Sequence, residues 1–437
     1  MNSEELEKKV YQIIDSNKDE IAQTLSKLVQ IPSLAGGEGK AQKYMQELFS
    51  KLPGAKVISF EADFDKVSQH PAFNDTGHGF KNRPNVLAIL EGDATAKSVK
   101  LTGHVDVVPC EEETDWTYSP WSGKIVGNKL YGRGSSDMKA GLIAQYFALK
   151  SLLDAGIKPK GTVTLESVID EEIQGGGGML TCLIEGYRAD GFIITEPVWE
   201  EITVSYGGVH WFRVKLTGKP AHAARAHTGI NAITEMNKIY EALLKLDKKR
   251  GREIHYPLFE RGAGRPTNLN EKGEARSTNL NIGKYRAGDW PSTVAGWAEM
   301  ECRVGSIPGE KTEDVKKQVE DTIKEAARND EWLREHPPVV EWFGLRCEPW
   351  EQDPNHPFVQ AFKKCADRVL ETDVEFAGGP SAGDSHYTNY FDHQPTIYFG
   401  PRGFSGHGVD ECVELDSIIR CVKVFSSFIM EWCGIKD

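Results

Sequence analysis

The sequence predicts an α/β protein in which a larger domain built on a mixed, mostly parallel sheet is interrupted by a smaller inserted one. Three observations predict it. Apolar strand-like runs alternate with helical periodicity through the first half, the pattern of a parallel sheet covered on both faces. Near Gly208 the order changes to strand, helix, strand, strand, helix, strand, the ferredoxin-like βαββαβ unit. After that unit the chain returns to helix, strand and loop, with 397–399 as a further core strand. The expected division is 1–207 with 347–437 for the larger domain and 208–346 for the insert, reasonable for 437 residues.

Helical periodicity runs over 4–31 and stops at Pro32, and a second helix is expected over 39–52. The polar, Gly/Pro-containing stretch 61–83 reads as a surface loop. Strands follow at 85–90 and 99–102, then a helix at 138–155, a strand at 162–169, a helix at 180–187 and a strand at 191–195. The insert is expected as strand 211–216, helix 231–249, strands 278–285 and 294–303, helix 312–327 and strand 339–343. No internal repeat or low-complexity segment stands out.

Bulk properties exclude several function classes. Hydrophobic residues make up 39% and charged ones 27%, an ordinary globular balance. Acidic residues outnumber basic ones by 65 to 52, and no Lys/Arg run offers a face for nucleic acid or anionic lipid. The first 23 residues are charged and amphipathic without an apolar core, so no signal peptide is expected, and no window is long and apolar enough to span a membrane. The eight cysteines are scattered with no C-x-x-C pair, as expected of free thiols in a reducing compartment. The chain reads as cytoplasmic.

Chemistry-bearing residues fall at strand ends. His104 and Asp106 follow the run SVKLTG, Glu171 and Glu172 follow TVTLESVI, and Glu196 follows GFIIT. In an open parallel sheet that edge is where ligands bind. Asp137 opens a helix in the Gly-flanked loop GRGSSDMKAG, and His407 lies in another, SGHGVDE. Gathering several carboxylates in one crevice is costly without positive charge, and nearby Lys and Arg are too few. Two histidines and three carboxylates suit two divalent ions, one carboxylate bridging. The His104/Asp106 spacing lets the Asp106 carboxylate accept from the second ring nitrogen of His104. Of the neighbours Glu171 and Glu172, one can hold metal while the other stays free as a general base. A phosphate-binding loop, a dinucleotide fingerprint and a G-x-S-x-G nucleophile elbow are all missing.

The segments LTGHVDVVP, LYGRGSSDMKAG, SVIDEEIQGGGG, TEP, GKPAHAARAHTGINAI and SGHGVDECVEL, in this order, resemble the dinuclear zinc deacylase and peptidase family that includes acetylornithine deacetylase, succinyl-diaminopimelate desuccinylase and aminoacylases. They span nearly the whole chain. The resemblance implies a metallo-amidohydrolase that cleaves an acyl-amide bond with a metal-activated water. It implies two divalent ions, zinc in the first instance with cobalt or manganese also compatible. Asp137 would bridge them, His104 and Glu196 would complete one, and Glu172 and His407 the other. Glu171 would be the general base, Asp106 the partner of His104, and the Asp137–Met138 peptide would be cis. The insert would be a lid and dimerisation domain, so that a homodimer is expected, with His222 reaching the substrate carbonyl and Asn281 and Arg303 lying where relatives contact substrate. An exopeptidase with the same machinery, or a non-catalytic small-molecule binder, are the alternatives.

The family pattern breaks in two places. Where relatives acting on N-acyl amino acids carry an Arg before the lid, this chain has Tyr206-Gly207-Gly208-Val209. Where many carry an Arg after a Gly-Thr/Ser-Asp run, it has Ser381-Ala382-Gly383-Asp384-Ser385-His386, with His386 at the Arg position. Those arginines are suited to clamp a substrate carboxylate. Their loss points to a small amide without that carboxylate, such as an N-formyl or N-acyl amine.

Overall fold

The computed structural model describes residues 3–261, 269–270 and 272–436. The chain divides into two compact units, Met1–Val204 with Gln352–Phe376 and Tyr387–Asp437, and Ser205–Glu351 with Ala377–His386.

The first unit is organised by a sheet whose strands lie in the order Lys56–Phe60, Asn85–Leu90, Val163–Val168, Val99–His104, Phe192–Ile194, Thr396–Tyr398, Ile202–Tyr206. The three central pairings are parallel and the flanking ones antiparallel. All six residues of Val99–His104 and of Val163–Val168 are buried, as expected for strands covered on both faces. Ala140–Asp154 is buried from Ala140 through Leu149 and packs beside Leu415–Cys433, where Ser426 donates to the Ala148 carbonyl. Because Val163–Val168, Val99–His104 and Phe192–Ile194 are adjacent and parallel, their C-terminal ends share one edge.

Three local expectations need correction. The helix expected over 4–31 is two, Ser3–Ser16 and Lys18–Val29, broken at Asn17. Asn is a poor interior residue, and Asp19 and Glu20 favour a fresh N-terminus. The stretch 61–83 is no plain surface loop. Asp63 caps a short helix, Phe64–Val67, Phe64 packs against Phe73 and Phe80, and the Arg83 guanidinium is buried between Glu38 and Asp170. A second small antiparallel sheet was not anticipated, because strands of two or three residues carry no readable periodicity. It runs Gly403–Phe404, Cys412–Glu414, Lys129–Tyr131, Lys124–Val126.

The second unit contains the βαββαβ order as Gly208–Thr217, Ala232–Glu253, Leu280–Ala287, Trp297–Ser306, Thr312–Arg328 and Val339–Cys347. Its sheet is antiparallel, with Trp297–Ser306 and Gly208–Thr217 central, which is the ferredoxin-like arrangement. Met236, Ile239 and Leu243 of one helix and Val315, Val319 and Ile323 of the other bury against Phe212, Val214, Met300 and Val304. The alternate residues Trp211, Arg213, Glu301 and Arg303 lie on the opposite face. Ala377–His386 also belongs to this unit, with the Gly207 amide donating to the Gly379 carbonyl at 2.9 Å.

Candidate metal centre

The shared strand edge of the first unit gathers His104, Asp106, Asp137, Glu171, Glu172, Glu196 and His407. His104 ends the strand Val99–His104, Glu171 and Glu172 follow Val163–Val168, and Glu196 follows Phe192–Ile194. Asp137 lies in the irregular turn Ser135–Lys139 that precedes Ala140–Asp154, and its bond to Met138 is cis. His407 sits in the loop joining Gly403–Phe404 to Cys412–Glu414, with φ of +63°.

Asp137 stands between the two imidazoles. Its Oδ1 is 3.2 Å from His104 Nε2 and its Oδ2 is 3.3 Å from His407 Nε2. Around His104 Nε2 lie Glu196 Oε1 at 3.4 Å and Glu171 Oε2 at 3.7 Å. Glu172 Oε2 is 2.9 Å from His407 Nε2. His104 Nδ1 must donate to the Asp106 carbonyl at 2.9 Å, since that oxygen can only accept, which leaves Nε2 as the lone-pair nitrogen of the neutral ring. Nε2 is buried and makes no hydrogen bond despite these three oxygens.

Asp106 departs from expectation. Its carboxylate is 3.6 Å from His104 Nδ1, and the backbone carbonyl makes the closer contact. The carboxylate instead accepts the amides of Glu171 at 3.3 Å and Glu172 at 3.0 Å. Asp106 thus orients His104 through its main chain and the paired glutamates through its side chain. Two backbone donors outcompete one ring nitrogen.

The electrostatics call for cations. Among the described residues no Lys or Arg pairs with Asp137, Glu172 or Glu196. Burial, and after it the charge of Asp137, push the Glu196 carboxyl up to about 7. Hydrogen bonds donated to the Asp137 and Glu172 carboxylates raise His407 to about 10. Two sets of ligand atoms, from His104, Glu171 and Glu196 and from His104, Asp137 and Glu172, each lie within 4.8 Å of one another. Two divalent charges would balance the four carboxylates, and imidazole with carboxylate is the donor chemistry of zinc and its neighbours. The residues present fit two such ions.

Four expected site residues, His222, Asn281, Arg303 and His386, belong to the second unit. Asn281 faces Arg303 across paired strands, and both line a cavity of about 220 Å³ with Trp211 and Phe343. Burial lowers the Arg303 pKa from its ordinary value. His222 is exposed, and its Nδ1 accepts the Ala224 amide at 3.1 Å. His386 is buried. Sequence reasoning missed Arg133 and Glu411, both buried beside the Asp137 turn. They lie inside the quoted segments LYGRGSSDMKAG and SGHGVDECVEL, but nothing in the sequence pairs them.

A mixed-sheet α/β unit with this crevice, together with a ferredoxin-like unit, defines a metallo-amidohydrolase. The chain belongs to the peptidase family M20/M25/M40, whose model matches residues 101–431. It is 27% identical to the N-formyl-4-amino-5-aminomethyl-2-methylpyrimidine deformylase of Halalkalibacterium halodurans, over 97% of this chain and 96% of that one. To the protein of the same description from Bacillus subtilis it is 30% identical, over 81% and 84%. Human carnosine dipeptidase 1 has the same fold, with a TM-score of 0.72 at 20% identity over 98% of this chain and 99% of that one.

Proposed function

We propose that the protein hydrolyses the N-formyl or short N-acyl group of a small amine without an α-carboxylate, releasing the acid and the free amine. The observation that carries the reading is the crevice around Asp137, combined with an Arg-free Tyr206-Gly207-Gly208-Val209 segment and His386 standing where carboxylate-clamping arginines are expected. The deformylase relatives support the same substrate class.

Bound divalent ions, zinc in the first instance, supply Lewis acidity to a water and to the amide carbonyl. His104, Glu196 and Asp137 would hold one, and Glu172, His407 and Asp137 the other. Glu171 takes a proton from the water as its oxygen bonds to the carbonyl carbon, then delivers that proton to the amine nitrogen as the C–N bond breaks. Gln174 Nε2 donates to Glu171 Oε1 at 3.1 Å and aims the other oxygen toward His104. His222 donates to the tetrahedral oxyanion from a second copy of the chain. On this reading 1–207 with 347–437 is the catalytic domain, except for 377–386, which joins 208–346 in the lid and dimerisation domain, and the enzyme is a cytoplasmic homodimer. No described helix is long and apolar enough to cross a membrane.

The test is turnover by metal-loaded wild type and Glu171→Gln, with metal content determined, on N-formyl amines, N-acyl amino acids and dipeptides. Glu171-dependent cleavage confined to the formyl or acyl amines is expected. Preference for N-acyl amino acids or dipeptides would overturn the substrate class.

A further inference from the structure

The turn that carries Asp137 and the loop that carries His407 are distant in sequence, yet Asp137 Oδ2 and His407 Nε2 stand 3.3 Å apart. The side chains that hold them together are outside the ligand set. Glu411 is fully buried, and its carboxylate accepts four hydrogen bonds. Oε1 takes the amides of Ser136 at 2.9 Å and Asp137 at 3.0 Å. Oε2 takes the amide of Gly134 at 3.1 Å and Arg133 Nη1 at 2.6 Å. Three of these donors are backbone groups of the turn that carries Asp137, which places a fixed anion inside that turn.

Arg133, also buried, completes the link from the other side. Its Nη2 donates to the His407 carbonyl at 3.3 Å and to the Pro109 carbonyl at 3.1 Å, and its guanidinium lies 5.2 Å from the Trp116 ring centre. One planar fork, carried just ahead of the Asp137 turn, therefore grips both the Glu411 carboxylate and the main chain of the His407 loop. The small sheet supplies the frame, with Cys412 paired to Tyr131. Gly134 is needed where it stands, because its φ is +78° and a Cβ there would meet Val107 at 2.5 Å.

We infer that Arg133 and Glu411 are positioning residues that set the separation of Asp137 from His407, and so govern the affinity of the ion held by His407 and Glu172. The ion on the His104 and Glu196 side depends on them far less. His104 is fixed by its own strand and the Asp106 carbonyl, whereas the half-exposed His407 relies on its loop. Glu411 cannot serve as a ligand, since its four acceptor positions are filled. The pair acts through Asp137 and His407 and touches neither substrate nor reacting water.

The inference rests on the two-metal reading of the site, and it is tested by metal binding rather than by substrate. Stepwise Zn²⁺ titration of the metal-stripped full chain would be run on wild type, Glu411→Gln and Arg133→Lys. Gln keeps the shape but turns an N–H₂ toward the Gly134 amide or the other two amides. Lys keeps the charge but loses the fork. The expected result is a first equivalent within about threefold of wild type and a second weakened about 10–100-fold. The loss in kcat should be recovered by raising free Zn²⁺, with KM unchanged. Wild-type affinity for both equivalents in either folded variant would overturn the proposal. So would equal weakening of both equivalents in step with a fall in Tm, or failure of both variants to fold, since each marks a purely structural pair. A wild type that takes no second equivalent would defeat the two-metal reading and the proposal with it.

Discussion

The crevice of the first unit and the cavity of the second place charge in opposite ways. In the first, carboxylates and imidazoles converge within 2.9–3.7 Å, and His104 Nε2 lacks a hydrogen bond. In the second, Arg303 stands beside Asn281 on a sheet face, with Trp211 and Phe343 at hand and a volume of about 220 Å³. Like charges are held together in one only if cations complete it, so it is built for a fixed inorganic partner. The other combines Arg303, a Lys284–Glu301 pair and aromatic surface, suited to a replaceable organic one. Changes in the first should therefore act on kcat and metal content, and changes in the second on KM.

The largest effect expected is from Glu171→Gln, which should lower kcat about 10²–10⁴-fold while both ions stay bound. Metal analysis beside steady-state kinetics checks this, and loss of metal along with activity would make Glu171 a ligand instead. Next comes Asp106→Asn. Its amide group must turn a donor toward the Glu171 or Glu172 amide, and metal affinity should fall about 10–100-fold. Competition with a chelator reads that change, and an unaltered affinity would remove Asp106 from the support of the site.

A pH dependence follows from the crowded carboxylates. With no metal, Glu196 holds its proton up to about pH 7 and His407 up to about pH 10. Both must lose it to bind a cation, so metal affinity should rise with pH, more steeply below about 7 than between about 7 and 10. Calorimetric titration in two buffers of different ionisation enthalpy would count the protons released. A pH-independent affinity would mean that these ligands do not share one crevice. The smallest effect is expected in the second unit, where Arg303→Ala should raise KM about tenfold and leave kcat and metal content near wild type. A fall in kcat instead would make Arg303 a stabiliser of the transition state, and the division between the regions would blur.

What could be read beforehand follows the range of the interaction. His104, Glu171, Glu172 and Glu196 were legible because each follows its own apolar strand, and parallel strands put such ends on one edge. The βαββαβ order was legible because long elements give clear periods. Asp106 was assigned by spacing to the His104 ring, but spacing cannot show that two backbone amides claim its carboxylate. Arg83 was placed in a surface loop, since its partners Glu38 and Asp170 lie 45 and 87 positions away. The Arg133–Glu411 pair is 278 positions apart, in loops next to strands too short to show a pattern.

By itself the sequence determined the two kinds of layer, the carboxylates and imidazole at the strand ends, the glycine at the sharp turn and the absence of the clamping arginines. These depend on local backbone preference and on which side chains exist at all. Only the tertiary structure decided that Asp137 stands between two imidazoles, that Asp106 serves the glutamate amides, and that one buried guanidinium ties two distant loops. Such contacts depend on where separate segments meet, and a hydrogen bond a few tenths of an ångström too long is no longer made.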